Sequence, residues 1–371
     1  MNILFTYLTA FSGHGGIEKF NRAFIKALDE DGEYKLIVSS LHDKNKNEKY
    51  LIHAQFQGFG GKRIYYLLKV VYSALRSDIL IIGHINLAIA GFAAMFFNPR
   101  LKIVIIAHGI DIKGKLGFIK KTVLKKADRI LSVSNYTKNI LISEQNIEPE
   151  KITVFPDTFD PHFIFPQQFN KNESLMMRYG LKVIDKILII ICRLSFQEGY
   201  KGYDRVIDAL PGIIANHPDA KYLIAGKYDE QEKLRIEQMI KNNKMEGKVI
   251  FTGFIKEEEL IDHFLLGDVF VMPSTNEGFG IVYIEAMACG LPVIAGNKDG
   301  SADALDNGKL GYLIDPGSID EITKAVSLAL ASAENDAEYK LNLQQKVKDK
   351  FGFPIFKSRL KQIIQEVFKT S

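Results

Sequence analysis

Strand-length apolar runs alternate with longer helical patterns along the whole chain, and few folds tolerate that alternation. In the first half the runs are NILFTYL, KLIVSS, ILIIGHI, KIVIIAHG, RILSVSN and ITVFPD. In the second they are KILIIICRL, KYLIAGK, KVIFTGF, VFVMPS, LPVIAG and GYLID. Their apolar residues are continuous rather than alternating, as in strands of a parallel sheet covered on both faces. Helical stretches such as GIEKFNRAFIKALDE and RIYYLLKVVYSALR lie between them, which makes repeated βαβ units. The pattern breaks over residues 161–183, PHFIFPQQFNKNESLMMRYGLKV, where prolines and polar residues leave no period. The expectation is an α/β chain of two doubly wound domains, residues 1–170 and 171–350, facing across a cleft, with a closing helical segment 351–371. Pro354 should start or bend that last helix.

The chain has 371 residues, 47% hydrophobic and 25% charged, enough for two sizeable cores. Its net charge of +4 does not imply a nucleic-acid partner. The charge is uneven, however, and Arg100 to Arg129 is strongly basic. A solvated helix face is the ordinary reading of such a run; a surface for anionic lipid headgroups is the sharper one. LAIAGFAAMFF, Leu87 to Phe97, falls short of the roughly 20 residues that span a bilayer. It reads as a helix buried between the sheet and its neighbours. Cys192 and Cys289 sit in apolar runs without metal or disulfide spacing, and read as buried free thiols. With MNILFTYL lacking a basic region and a cleavage site, they suggest a cytoplasmic setting.

In open parallel sheets, ligands gather beyond the carboxyl ends of the strands. The unusual residues fall in the loops that follow strands. In TAFSGHGGIEKF, Gly13, Gly15 and Gly16 open a helix whose first amides suit a phosphate, although this is not the G-x-G-x-x-G fingerprint. His108 ends KIVIIAHG. Arg193 and Lys201, in IICRLSFQEGYKGYDRVIDAL, are two cations at one strand end, and a diphosphate suits such a pair. Glu277 follows VFVMPS in a loop with Gly278 and Gly280. Glu285 lies on the helix that starts near Ile281, about 12 Å further along if all eight steps are helical. Carboxylates repel phosphate but accept from hydroxyls. One acid on a sugar, the other on a ribose and a diphosphate between them fits this spacing.

EGFGIVYIEAMACGLPVIA, RLSFQEGYKG and GGIEKF, supported by VSNYTKNIL and KVIFTGF, resemble the retaining glycosyltransferases of family 4. That family has the GT-B fold of two Rossmann-like domains, with the C-terminal segment returning to the first. The resemblance covers nearly the whole chain. It implies that Arg193 and Lys201 hold the donor diphosphate and that Glu277 holds the transferred sugar. Gly278, Phe279, Gly280 and Ile281 would offer backbone contacts. It further implies Glu285 on the ribose, Phe254 near the base, His108 on the donor sugar, and Gly15 and Gly16 approaching donor and acceptor. The chain departs from the pattern at Asp157-Thr158, where Asn-Gly is common, at Lys227-Tyr228, which lacks the usual second glycine, and at Cys192, where glycine is common. No metal or other cofactor is expected.

The expected partners are a UDP- or GDP-sugar and a glycan or lipid-linked acceptor, in cell-surface polysaccharide or lipopolysaccharide synthesis, with an anionic membrane surface nearby. A nucleotide-sugar epimerase of the same fold and a non-catalytic nucleotide-sugar sensor are the alternatives.

Overall fold

The computed structural model describes residues 1–13, 15–333 and 337–369. The chain divides into two compact units, Met1–Phe163 with Phe351–Ser371, and Ile164–Lys350.

Among the described residues, the first unit holds seven parallel strands: β1 (Asn2–Tyr7), β2 (Lys35–Ser40), β3 (Gln55–Gly58), β4 (Ile79–Ile82), β5 (Lys102–Ala107), β6 (Arg129–Ser132) and β7 (Ile152–Val154). Their order is β3-β2-β1-β4-β5-β6-β7. The central runs Leu4–Phe5, Leu80–Ile82 and Ile103–Ile106 are buried, as continuous apolar strands require. The sequence reading missed β3. Its QFQG carries one large apolar residue, and it pairs only at the sheet edge, so burial leaves no apolar run to detect. Helices α1 (Gly16–Asp29), α2 (Arg63–Ala74), α3 (Ala88–Phe97), α4 (Phe118–Lys126) and α5 (Asn135–Ser143) connect the strands.

Helix α3 is the LAIAGFAAMFF segment, and it is not buried all round. Ala90, Gly91 and Ala94 face the core, whereas Ile89, Phe92, Phe96 and Phe97 are exposed. Its flanks are taken by α2 and α4. Small residues bring its backbone close to the sheet, leaving its bulky ones on the outside. No described helix is long and apolar enough to cross a membrane.

The second unit holds β8 (Lys186–Ile191), β9 (Ala220–Ala225), β10 (Val249–Gly253), β11 (Val269–Met272), β12 (Val293–Gly296) and β13 (Tyr312–Ile314), in the order β10-β9-β8-β11-β12-β13. Its helices are α6 (Glu173–Arg178), α7 (Tyr203–Asn216), α8 (Glu230–Asn242), α9 (Leu260–Leu266), α10 (Ile281–Ala288), α11 (Ser301–Ala304), α12 (Ile319–Ala333) and α13 (Ala337–Phe351). Strand order reverses between β1 and β4 in the first sheet and between β8 and β11 in the second. At such a reversal the loops on either side diverge to opposite faces and leave a crevice.

The units part at Phe163 and Ile164, a few residues before the position near 170 expected from sequence. The intervening residues pack on the second unit: Gln344 Nε2 donates to Pro166 O at 3.0 Å, and Lys348 lies 5.1 Å from the Phe165 ring centre. The last helix, α14 (Phe353–Lys369), starts with Pro354 in its first turn and belongs to the first unit. Its Phe356 joins Phe20 and Phe24 of α1 and Phe155 in an aromatic cluster, 4.5 Å from the Phe155 ring.

Candidate functional site

In the second unit, the strand-order reversal sets the loop after β8 beside the loop after β11. Two features lock the two together. Thr275 N donates to Tyr200 O at 2.9 Å. Gly202, at φ 76°, caps α7 in a left-handed conformation. A Cβ there would lie 2.3 Å from Pro273 O, so only glycine lets the chain turn so close to the neighbouring strand end. Lys201, the residue before it, is thereby aimed at the second loop.

Lys201 Nζ donates to Glu277 Oε1 at 2.7 Å. It also lies 3.9 Å from Glu198 Oε2, and Arg193 Nη2 donates to Glu198 Oε1. Arg193, Glu198, Lys201 and Glu277 therefore form one alternating chain of charges. Lys201 and Glu277 are largely buried at 15% and 14% side-chain exposure, but the Arg193 guanidinium is open at 66%. Of the two cations expected to converge, only Lys201 is shielded. Burial alone would lower its pKa; the Glu277 carboxylate outweighs that and holds the ammonium proton more tightly than usual. Sequence reasoning missed Glu198. Its signal was an acid set between two basic residues in RLSFQEGYK.

The Glu277 loop rests on a buried acid that was also missed. Asp299 Oδ2 accepts from Glu277 N at 2.6 Å, and Asp299 Oδ1 from Ser301 N at 3.0 Å. Burial raises the Asp299 pKa despite these donors. Gly300 N donates to Glu277 O at 2.8 Å, and a Cβ on Gly300 would strike Gly278 O. Gly280, at φ 88°, caps α10. The Phe279 and Ile281 side chains turn into the core, which leaves their backbone as the part that can meet a ligand. Glu285 sits on the second turn of α10 and is buried. Phe254 follows β10 and is mostly exposed. Cys289 is buried, whereas Cys192 is only partly so, because it lies where β8 gives way to the loop. Among the described residues no three His, Cys, Asp or Glu side chains gather as a metal site.

In the first unit, Gly15 and Gly16 open α1 after β1. The loop is held by Asp43, which accepts from the backbone N of Ala10, Phe11 and Ser12 and from three hydroxyls. Although burial opposes ionisation, these donors hold its carboxyl below the usual range. The Glu18 carboxylate folds back over the loop, so that a Cβ on Gly15 would fall 2.5 Å from it; the space at Gly16 is open. His108 ends β5. Its Nε2 meets Gly83 O at 2.9 Å, its N bonds Asp111, and its ring abuts Phe20.

His84, at the end of β4, lies 6.1 Å from His108 between ring centres. Burial pulls its pKa from 6.5 to about 4. The folded chain then keeps this ring neutral while the unfolded chain protonates it below about 6.5. Stability is complete above that value and falls as the pH drops towards 4, by about 3 kcal/mol at most. Its Nδ1 accepts from Asn86 N, a cap that asparagine can also make. In urea titrations between pH 4 and 7, His84→Asn is expected to flatten the acid-side loss of midpoint; an unchanged slope would assign the loss to other groups.

Residues 174–346 match the family described as glycosyl transferases group 1, and residues 14–163 match glycosyltransferase family 4. A GDP-mannose-dependent alpha-(1-6)-phosphatidylinositol monomannoside mannosyltransferase of Mycolicibacterium smegmatis is 32% identical over 262 residues, 68% of this chain and 66% of that protein. An N-acetyl-alpha-D-glucosaminyl L-malate synthase of Bacillus anthracis is 29% identical over 249 residues, 63% of this chain and 61% of that one. The chain thus spans less than two thirds of the length of these curated relatives. The solved structure of Anabaena HepE in complex with UDP-glucose matches 99% of this chain and 100% of its own, with a TM-score of 0.78 at 20% identity.

Proposed function

Because the chain belongs to the glycosyl transferases group 1 and glycosyltransferase family 4, and has the GT-B fold, we propose that it transfers a sugar from a nucleotide-diphospho-sugar to an acceptor hydroxyl. The observation that carries this is the Lys201–Glu277 pair, which sets a fixed cation against a hydroxyl-accepting acid at the strand-order reversal. Lys201 and Arg193 take the diphosphate. A bound donor competes with Glu198 for the exposed Arg193 guanidinium, whose planar fork suits two phosphate oxygens. Glu277 keeps Oε2 for sugar hydroxyls, and Glu285 serves the ribose. The α10 N-terminus adds positive potential beside the phosphates.

As the anomeric C–O bond to phosphate breaks, the acceptor oxygen bonds the anomeric carbon. Its proton passes to the departing phosphate oxygen on the same face, so configuration is retained and no separate protein base is needed. The cations stabilise the leaving diphosphate in place of a divalent metal. The donor is a UDP- or GDP-sugar, and the acceptor a glycan or lipid-linked glycan met by a cytoplasmic protein.

Thermal shifts with UDP-, GDP- and ADP-sugars identify the base, since bound donor raises apparent stability by mass action. With that donor, Arg193→Ala and Glu277→Ala are each expected to lose most turnover while remaining folded. Near-normal transfer by either variant overturns the assignment. A changed sugar from donor alone points instead to an epimerase.

A further inference from the structure

Helices α2, α3 and α4 lie side by side in the first unit, α3 packed against both of the others. Their inner residues fill the core beneath the sheet, with Tyr66, Val70, Ala90, Ala94, Val123 and Leu124 all buried. Their outer residues are unusual. Ile64, Leu68 and Tyr72 repeat at helical spacing along α2, and Phe92 and Phe96 along α3; Phe118 opens α4. All six are exposed, with Ile64 at 78%, Phe96 at 81% and Phe118 at 78%. Of the 23 large hydrophobic residues exposed among the described residues, 11 fall between Ile64 and Phe118. Scattered apolar surface is ordinary, whereas a contiguous patch on three adjoining helices marks a binding face.

The charges on this segment are as uneven as its exposure. Residues 61–127 carry twelve Lys or Arg, two Asp and no Glu, leaving 36 basic and 42 acidic residues for the remainder. The segment is therefore net +10 on a chain whose remaining residues sum to −6. Neither aspartate belongs to the three helices: Asp78 accepts from Asn2 N and Asp111 from His108 N. Lys69 lies over the Tyr65 and Tyr72 rings at 5.8 and 5.9 Å, and Arg76 over Tyr72 at 5.1 Å. Cations that rest on exposed aromatic rings form one amphipathic layer, apolar at its tips and positive around them.

We infer that the outer face of α2, α3 and α4 docks on an anionic lipid bilayer. Charge complementarity selects that partner. A nucleic acid would be drawn by the cations but gains nothing from Ile64, Leu68 and Phe96. A second copy of this chain would set like charges against each other. Anionic headgroups neutralise the lysines while the apolar tips enter the acyl boundary. The inference rests on exposure and charge alone, and does not depend on the proposed transfer reaction.

The test is co-sedimentation of the full chain with phosphatidylcholine vesicles, with and without about 30% phosphatidylglycerol. The native chain is expected to bind the anionic vesicles at least about tenfold more tightly than the neutral ones. Lys69→Glu with Lys125→Glu and Lys126→Glu should remove that preference. Leu68→Ser with Phe96→Ser and Phe118→Ser should abolish whatever binding survives high salt. Thermal shift by a nucleotide sugar should be the same in both variants as in the native chain, which separates this surface from the donor site. Absence of native binding to anionic vesicles at low salt overturns the inference. So does equal binding by all three proteins, or a native dimer in sedimentation velocity that the serine variant dissociates.

Discussion

Lys201→Ala is expected to slow nucleotide release from the donor roughly 100- to 1,000-fold, the range seen when one preorganised charge-stabilising group is removed. Three observations set that size. The ammonium is largely shielded from water, so its field on a neighbouring phosphate is weakly screened. It keeps its proton more firmly than a free lysine, because Glu277 lies 2.7 Å away, so its charge is present throughout the neutral range. It is also the only cation bridging Glu198 and Glu277 among the described contacts; without it two acids face the incoming diphosphate. Both kcat and donor affinity should fall, while near-UV circular dichroism shows the second unit folded. Turnover within about tenfold of native would mean that the charge chain is a structural ion network and not a donor site. Restoring a longer cation with Lys201→Arg is expected to recover little, since Gly202 packed against Pro273 fixes the backbone from which the cation reaches Glu277.

The largest expected loss of stability lies elsewhere. Asp160→Ala should destabilise the first unit by about 3–5 kcal/mol, the usual result of stranding a buried charge. Arg22 Nε donates to Asp160 Oδ2 at 2.9 Å, both side chains are more than nine-tenths buried, and Tyr50 Oη donates to the same carboxylate. Removing the acid leaves a buried guanidinium that cannot lose its proton and no counter-charge beside it. In a domain of this size that corresponds to a fall in melting temperature of about 6–20 °C. Arg22→Met combined with Asp160→Leu should recover much of the loss, because a buried pair contributes less than either half costs alone. If Asp160→Ala unfolds at the native temperature, water must already screen the pair.

Much of this was written in the sequence, because twelve of the thirteen described strands carry a cluster of large apolar residues at strand length. The thirteenth, β3, has no such run, because an edge strand buries little and QFQG offers little to bury. The candidate residues of the second unit were legible by their position after β8 and β11, but their pairing was not. That Lys201 meets Glu277, 76 positions later, follows from strand order, which no local pattern encodes. Glu198 and Asp299 escaped for a related reason. A carboxylate that neutralises a cation or holds a loop amide looks, in a linear string, like any other surface acid. Apolar composition alone suggests enclosure for α3 on every side. Its alanines and glycine face inward and its phenylalanines outward, a distinction of helical phase that composition does not hold.

The route of the backbone has one more consequence. The chain leaves the first unit after Phe163 and re-enters it at Phe351, whose carbonyl accepts from Thr158 Oγ1 at 2.6 Å. Residues 164–350 are thus a guest lodged within a host that is discontinuous in sequence. A fragment stopping at residue 163 lacks Phe356 and bares Phe20, Phe24 and Phe155 to water, so the host cannot be isolated by simple truncation. The guest is a single uninterrupted piece, and the host can be rejoined through a short splice, because Thr158, just ahead of one end, already bonds Phe351 at the other.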